Sequence, residues 1–273
     1  MLCFLRSALL GESIPAILIV AFQLASIGTG LANQRSVAAR ADSLYFAGNP
    51  AAALAVTSDS AAPPAQRAGL EWRAARALIA MGMMRPDGKE RRALYDDALV
   101  HARRAWSLAP DNIEARYWIA AAAGRRTHRT DPIYSARLGR EVYDQAMAIL
   151  AVDSMHAGAH HALGMLHAEV LRVPSMLRFV AGRTITNGLP RANEKEAELH
   201  LRRAVELEPT MMIYLVDLAN FYIRKGRARE AEDLARRIAA TPSRHPMDDK
   251  LKATFAMEWR VTVERLNGGA VKR

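Results

Sequence analysis

Apolar and small residues recur along this chain at helical spacing, most clearly in its last third. Ala197, Leu201 and Ala204 are spaced i, i+4, i+7, which places them on one face of a helix. Pro209 follows five residues after Ala204 and predicts the end of that helix. The same pattern returns 34 residues later, at Ala231, Ala235 and Ile238. The periodicity therefore predicts consecutive helices that pack through small side chains.

A further helix is predicted between these two, because Leu218, Ala219 and Tyr222 share one face and Gly226 suits the turn that follows. The 34-residue period, the small residues at helix contacts and the proline after the second helix resemble the tetratricopeptide repeat. Residues 98–110 reproduce the pattern of residues 197–209. The resemblance implies an all-α fold: a tetratricopeptide-like α-solenoid of antiparallel helix pairs with a C-terminal capping helix.

The same pattern, interrupted by turn residues, predicts the remaining helices. A first helix pair is expected over residues 36–60, and a last helix over residues 247–266 is expected to cap the exposed end of the stack. Other helices are predicted at residues 69–82, 89–108, 113–124, 137–152 and 156–171. The helical-repeat domain would thus occupy residues 33–266 and a disordered tail residues 267–273. The period does not explain an insertion at residues 173–192.

Residues 1–32 differ in character from the rest of the chain. Arg6 precedes an apolar run from Ile14 to Ile27, and Gly30 and Ala32 are small residues at the positions that a signal peptidase recognises. The run is shorter than the ~20 apolar residues that span a bilayer. We therefore expect export, periplasmic or secreted, after cleavage near Ala32, with an uncleaved membrane anchor as the alternative. Cys3 is the only cysteine, so cleavage would leave no thiol for a disulfide or a metal site.

Composition agrees with a helical protein that binds acidic partners. Hydrophobic residues make up 51% of the chain but aromatic residues only 6%, and alanine is abundant, which favours packed helices over a sheet. The formal net charge of +10 predicts attraction to acidic molecules. The basic cluster at residues 125–129 lacks the interleaved aromatic residues that stack on bases, so nucleic acid is not an expected partner.

Stacked repeats of this type expose a concave face formed by the first helix of each pair, and partners bind there. The expected function is therefore a non-enzymatic adaptor, with a protein or peptide partner of acidic character and no cofactor. The helical register places these candidate groove residues on the concave face: Tyr117, Ala121, Arg125, His161, Met165, Val216, Asn220 and Arg224. Alternatively, several of them pack against the insertions.

Two other functions remain open at this point. His156, His160 and His167 lie along a narrow stripe of one helix, and imidazole is a common metal ligand, so a metal-dependent enzyme is one alternative. His167 is two turns beyond His160, which argues against a shared ion. No nucleophile elbow, His-Glu-x-x-His motif or phosphate-binding glycine loop is present in the sequence. The other alternative is a surface protein that binds anionic lipid through its basic helices.

A closer family resemblance lies in three short segments. They read Arg116-Tyr-Trp-Ile-Ala, His161-Ala-Leu-Gly164 and Val173-Pro-Ser-Met-Leu-Arg-Phe-Val-Ala181, followed by Pro190 and Glu196-Ala197. In this order they resemble the regulator of microtubule dynamics family, over roughly residues 90–240. The resemblance implies a largely helical, tetratricopeptide-like fold; animal members associate with microtubules and with mitochondrial or reticular membranes. An exported chain rich in Ala and Arg would be bacterial, so we carry over the fold and not the tubulin partner.

Overall fold

The structure is a computed structural model that describes residues 37–58, 64–86, 88–126, 131–173 and 192–270. All regular secondary structure within these ranges is α-helical, as predicted. The predicted N-terminal signal or anchor and nearly all of the predicted insertion lie outside the described residues. The helices are α1 (37–46), α2 (Pro50–Thr57), α3 (Pro64–Met84), α4 (Lys89–Leu108), α5 (Ile113–Arg126), α6 (Pro132–Val152), α7 (Ala157–Val170), α8 (Glu194–Leu207), α9 (Met212–Arg224), α10 (Ala228–Ala240) and α11 (Asp248–Ala270).

Side-chain caps set several of the helix starts. The side chain of Asn49 accepts a hydrogen bond from the Ala52 amide at the start of α2. The side chain of Asn193 accepts one from the Glu196 amide at the start of α8. Asp131 caps α6, with Pro132 as its first residue. That cap explains why α6 begins five residues before the predicted start at residue 137.

The helices stack as a solenoid of five pairs within the described residues. Each pair consists of a first helix (α1, α3, α5, α7 or α9) and the helix that follows it. The first helices α3, α5, α7 and α9 contact one another in succession, while α4, α6 and α8 each contact the first helix of the next pair. This arrangement places the first helices side by side along one inner face, which we call the groove. None of the described helices combines the length and hydropathy needed to cross a bilayer.

Small residues allow the helices of the fourth pair to approach closely. Leu163 is 2% exposed and Ala204 is fully buried, as the periodicity predicts. A Cβ atom at Gly164 would lie 2.7 Å from Cγ of Leu201 and 2.8 Å from its backbone nitrogen. We call this contact between α7 and α8 the α7–α8 seam. It leaves no room for a larger residue at position 164.

The last helix differs from its predicted bounds. It was expected to end at Leu266 and to be followed by a disordered tail over residues 267–273, but its backbone remains helical to Ala270. Two glycines near the end cost about 1 kcal/mol each relative to alanine, which weakens a helix without blocking its hydrogen bonds. Residues 271–273 lie outside the described part of the chain.

Candidate functional site

The eight candidate groove residues lie on α5, α7 and α9, at different depths. Arg224 is exposed, and six others are half-buried along the groove. Val216 is the exception, because it is only 5% exposed and belongs to the hydrophobic core of the last two pairs. Val216 is therefore a core residue and is not available to a partner, contrary to its predicted position.

A hydrogen bond between a histidine and an aspartate joins α7 to α9 in the groove. Nε2 of His161 lies 2.8 Å from Oδ2 of Asp217, and both side chains are largely buried. Burial alone would raise the pKa of Asp217, but its hydrogen bond to His161 and the positive charges of Arg125 and Arg224 outweigh that effect and lower it. The carboxylate is thus ionised at neutral pH. The sequence did not predict this pairing, because Asp217 belongs to no recognisable motif. The candidate position was its neighbour, Val216.

Two tyrosines connect α5 to α9 across the intervening α7. The phenols of Tyr117 and Tyr214 are hydrogen-bonded to each other, and burial raises the pKa of Tyr117 to about 12. The ring of Tyr117 crosses α7 at Gly158, where an added Cβ would lie 2.3 Å from Cε2 of the ring. Side chains from the alternate first helices α5 and α9 therefore meet over α7 at this point of the inner face.

An aromatic surface with one buried arginine forms the first-pair end of the groove. The guanidinium of Arg76 lies 4.1 Å from the ring centroid of Tyr45 and 5.4 Å from that of Phe46. One of its nitrogens lies 2.5 Å from the carboxylate of Asp42, which it shares with Arg73. Trp72, one turn earlier on α3, stacks at 6.5 Å on Trp118 of α5. The aromatic surface thus continues from the first pair to the third.

Residues 241–251, which we call the strap, comprise the connection between α10 and α11 and the first turn of α11, and they reach back to this surface. The ring of His245 lies 5.5 Å from that of Phe46 and 6.1 Å from that of Tyr45. Met247 packs on the cluster of Tyr45, Ala53, Ala77 and Ala80. Nζ of Lys250 donates a hydrogen bond of 3.3 Å to the carbonyl of Arg85. The strap thus joins the last pair to the first two, which no feature of the repeat pattern predicted.

The three histidines of the alternative metal site have separate contacts. Nδ1 of His156 accepts a hydrogen bond from the Ala159 amide and so caps α7. Nδ1 of His160 lies 2.8 Å from Nδ1 of His200 on α8, and His167 is buried with its ring 6.5 Å from that of His200. Among the described residues, no group of three or more His, Cys, Asp or Glu side chains could hold a metal ion. Burial lowers the pKa of His167 and of His200.

Comparison with known proteins supports the repeat fold. TTC0263, a thermophilic TPR protein of Thermus thermophilus, superposes with a TM-score of 0.55 at 18% identity, covering 82% of this chain and 97% of that one. The human IFIT1 dimer with PPP-AAAA matches with a TM-score of 0.39 at 18% identity, over 69% of this chain and 46% of that one, which is too weak to support an argument. No curated protein sequence matches. The family model for regulator of microtubule dynamics protein 1-3 matches residues 37–258, most of the chain, so this protein belongs to that family.

Proposed function

We propose that this protein is a non-enzymatic adaptor that binds a protein or peptide partner of acidic character in its groove. The observation that supports this most is the continuous inner face of α5, α7 and α9, on which Arg125 and Arg224 lie near the hydrogen-bonded His161 and Asp217. Because tetratricopeptide-like repeats are a protein-binding architecture, a partner is the simplest use for such a face.

The charges of the groove favour a partner that carries carboxylates. Asp217 already has His161 as a close partner. Within the part of the chain that the structure describes, Arg125 and Arg224 form no salt bridge of 4.0 Å or less, and Glu169, Asp217 and Glu258 act on Arg224 only from a greater distance. Two arginines on the inner face would therefore form charge-assisted hydrogen bonds with an incoming Asp or Glu.

Charge reversal at the two arginines tests this function. The full-length chain carrying both Arg125→Glu and Arg224→Glu should capture at least about tenfold less partner, since each reversal removes an attraction and adds a repulsion. Capture is measured by pull-down with mass spectrometry, and raising the salt concentration to ~0.5 M should weaken wild-type capture through screening.

The matched control is Arg229→Glu, which changes an exposed arginine on α10, the second helix of its pair. It should leave capture unchanged, and circular dichroism should show all three proteins equally helical. If the double variant captures the same proteins as the wild type, the groove is not the binding site and the proposal is wrong.

A further inference from the structure

The strap is a compact unit held together largely by its own hydrogen bonds. Asp248 is 2% exposed, and its carboxylate accepts hydrogen bonds of 2.9 Å from the amides of Arg244 and His245. The amide of Asp248 in turn donates to the carbonyl of His245 at 3.0 Å. Because both partners of each bond lie within the strap, leaving the aromatic surface would not by itself break these bonds.

The contact between the strap and the first two pairs consists mainly of side chains. His245 contributes ring contacts and Met247 an apolar contact, while Lys250 donates one hydrogen bond, to Arg85. Contacts of this kind contribute modestly and can be exchanged for equivalent ones from another chain. The strap is thus bound as a peptide ligand would be.

The surface beneath the strap has contacts of its own between α1 and α3. Arg73 and Arg76 of α3 both bind Asp42 of α1, and Arg76 stacks on Tyr45. These contacts orient the aromatic rings without involving any residue of the strap. Phe46 remains 53% exposed even with the strap in place, so part of the surface is accessible to another molecule.

We propose that the strap is a displaceable occupant of a peptide-docking surface formed by Tyr45, Phe46, Arg76 and the alanines beside them. The partner it fits is a peptide with an unbranched apolar anchor, in the place of Met247, and a ring two residues earlier, in the place of His245. This deepens the proposed function, on which it rests for the kind of partner, by naming a second surface and a competitor within the chain.

Tethering decides how strongly the strap competes. A segment connected to its own binding surface acts at an effective concentration in the millimolar range, so it excludes weak ligands in solution. The apparent affinity for a free peptide is then the intrinsic affinity multiplied by the fraction of molecules in which the surface is open. Weakening the strap should therefore reveal a site that the wild-type protein conceals.

The probe for this site is a fluorescent peptide of residues 242–256, added to the full-length protein. Met247→Asp removes the apolar anchor of the strap, because a carboxylate is costly against the alanine cluster. We expect the peptide to bind this variant at least about tenfold more tightly than the wild type. Met257→Asp is the matched control, since Met257 lies on α11 with 68% exposure, and it should behave as the wild type does. A peptide with Asp in place of the methionine should bind none of the proteins.

Equal affinity for the wild type and Met247→Asp, or no binding to either, would overturn the proposal. Should circular dichroism show that Met247→Asp has lost helix, His245→Ala is used in its place, with an expected increase of about fivefold because it removes only the two ring contacts. Arg125→Glu with Arg224→Glu should not change peptide binding. Loss of groove capture with peptide binding intact, or the reverse, therefore tells which of the two proposals fails.

Discussion

The α7–α8 seam and the contact of the strap with the first two pairs are both packed, but they are built differently. In the seam, Gly164 brings the backbone of α7 against Leu201 of the helix that follows it within the same repeat. At the strap, His245 and Met247 reach residues of the first helices through their side chains. The seam is set by backbone proximity and the strap contact by side chains that can rotate.

This difference determines how each region should respond to substitution. A backbone held close to its neighbour cannot move without shifting a whole helix, so the seam should tolerate almost no added volume. A side-chain contact can be lost while both partners keep their folds. Three experiments test whether the two regions differ in this way, beginning with the largest effect.

Gly164→Ala should give the largest loss of stability. Its new Cβ would meet the side chain and the backbone nitrogen of Leu201 at under 3 Å, so we expect a decrease of about 2 kcal/mol in the free energy of unfolding, despite the better helix propensity of alanine. Urea denaturation followed by circular dichroism measures this change.

Gly69→Ala is the matched control on α3. A Cβ there meets only the end of the Arg73 side chain, at 3.5 Å, so the substitution should raise stability by roughly 0.5–1 kcal/mol. If both variants change stability by the same amount and in the same direction, the seam is not the close contact described here.

His245→Ala should have a smaller and more local effect. The two edge-to-face ring contacts with Tyr45 and Phe46 are lost, which predicts a decrease of about 1 kcal/mol in the free energy of unfolding. Hydrogen exchange should become faster in α2 and unchanged in α7 and α8. Faster exchange in the seam as well would show that the two regions are not separable.

The smallest expected effect is a dependence on pH. Burial lowers the pKa of His245, and Arg76 and Arg244 lower it further, while Asp248 opposes them; Glu208 lines the cavity beside it. The docked strap therefore favours neutral imidazole. The contribution of neutral His245 to the free energy of unfolding is complete above the ordinary pKa of 6.5 and declines as the pH falls below that value.

His245→Phe isolates this effect, because it keeps a ring at the contact and cannot titrate. The loss of stability between pH 7.5 and pH 5.5 should be smaller in the variant than in the wild type. It should not vanish, since burial also lowers the pKa of His167 and His200 near the seam. Identical pH profiles for the two proteins would mean that His245 does not titrate with docking.

The sequence predicted the parts of the fold that repeat. Ala197, Leu201 and Ala204 recur at fixed spacing, so their burial follows from helix geometry alone. The family resemblance, drawn from short segments, is confirmed by the match over residues 37–258. Helix starts were less predictable, as at α6, where a capping aspartate and a proline extend the helix upstream.

The groove and the strap could be predicted only in part. Register placed Tyr117 and His161 on the inner face, but their partners Tyr214 and Asp217 lie on another helix and follow no spacing rule. His245 contacts rings about two hundred residues away along the chain, for reasons of shape rather than period. Partner binding by the candidate groove residues stays a prediction.

The contacts of His245 with Tyr45 and Phe46, about two hundred residues apart along the chain, change how this solenoid should unfold. An open stack frays from either end, because a terminal repeat has only one neighbour. Here the first repeat has a second neighbour at the far end of the chain, so its melting requires a long loop to open. Release of the strap would lower the free energy of local unfolding of the eight-residue α2. Binding of a ligand in place of the strap would then be linked to the local order of α2.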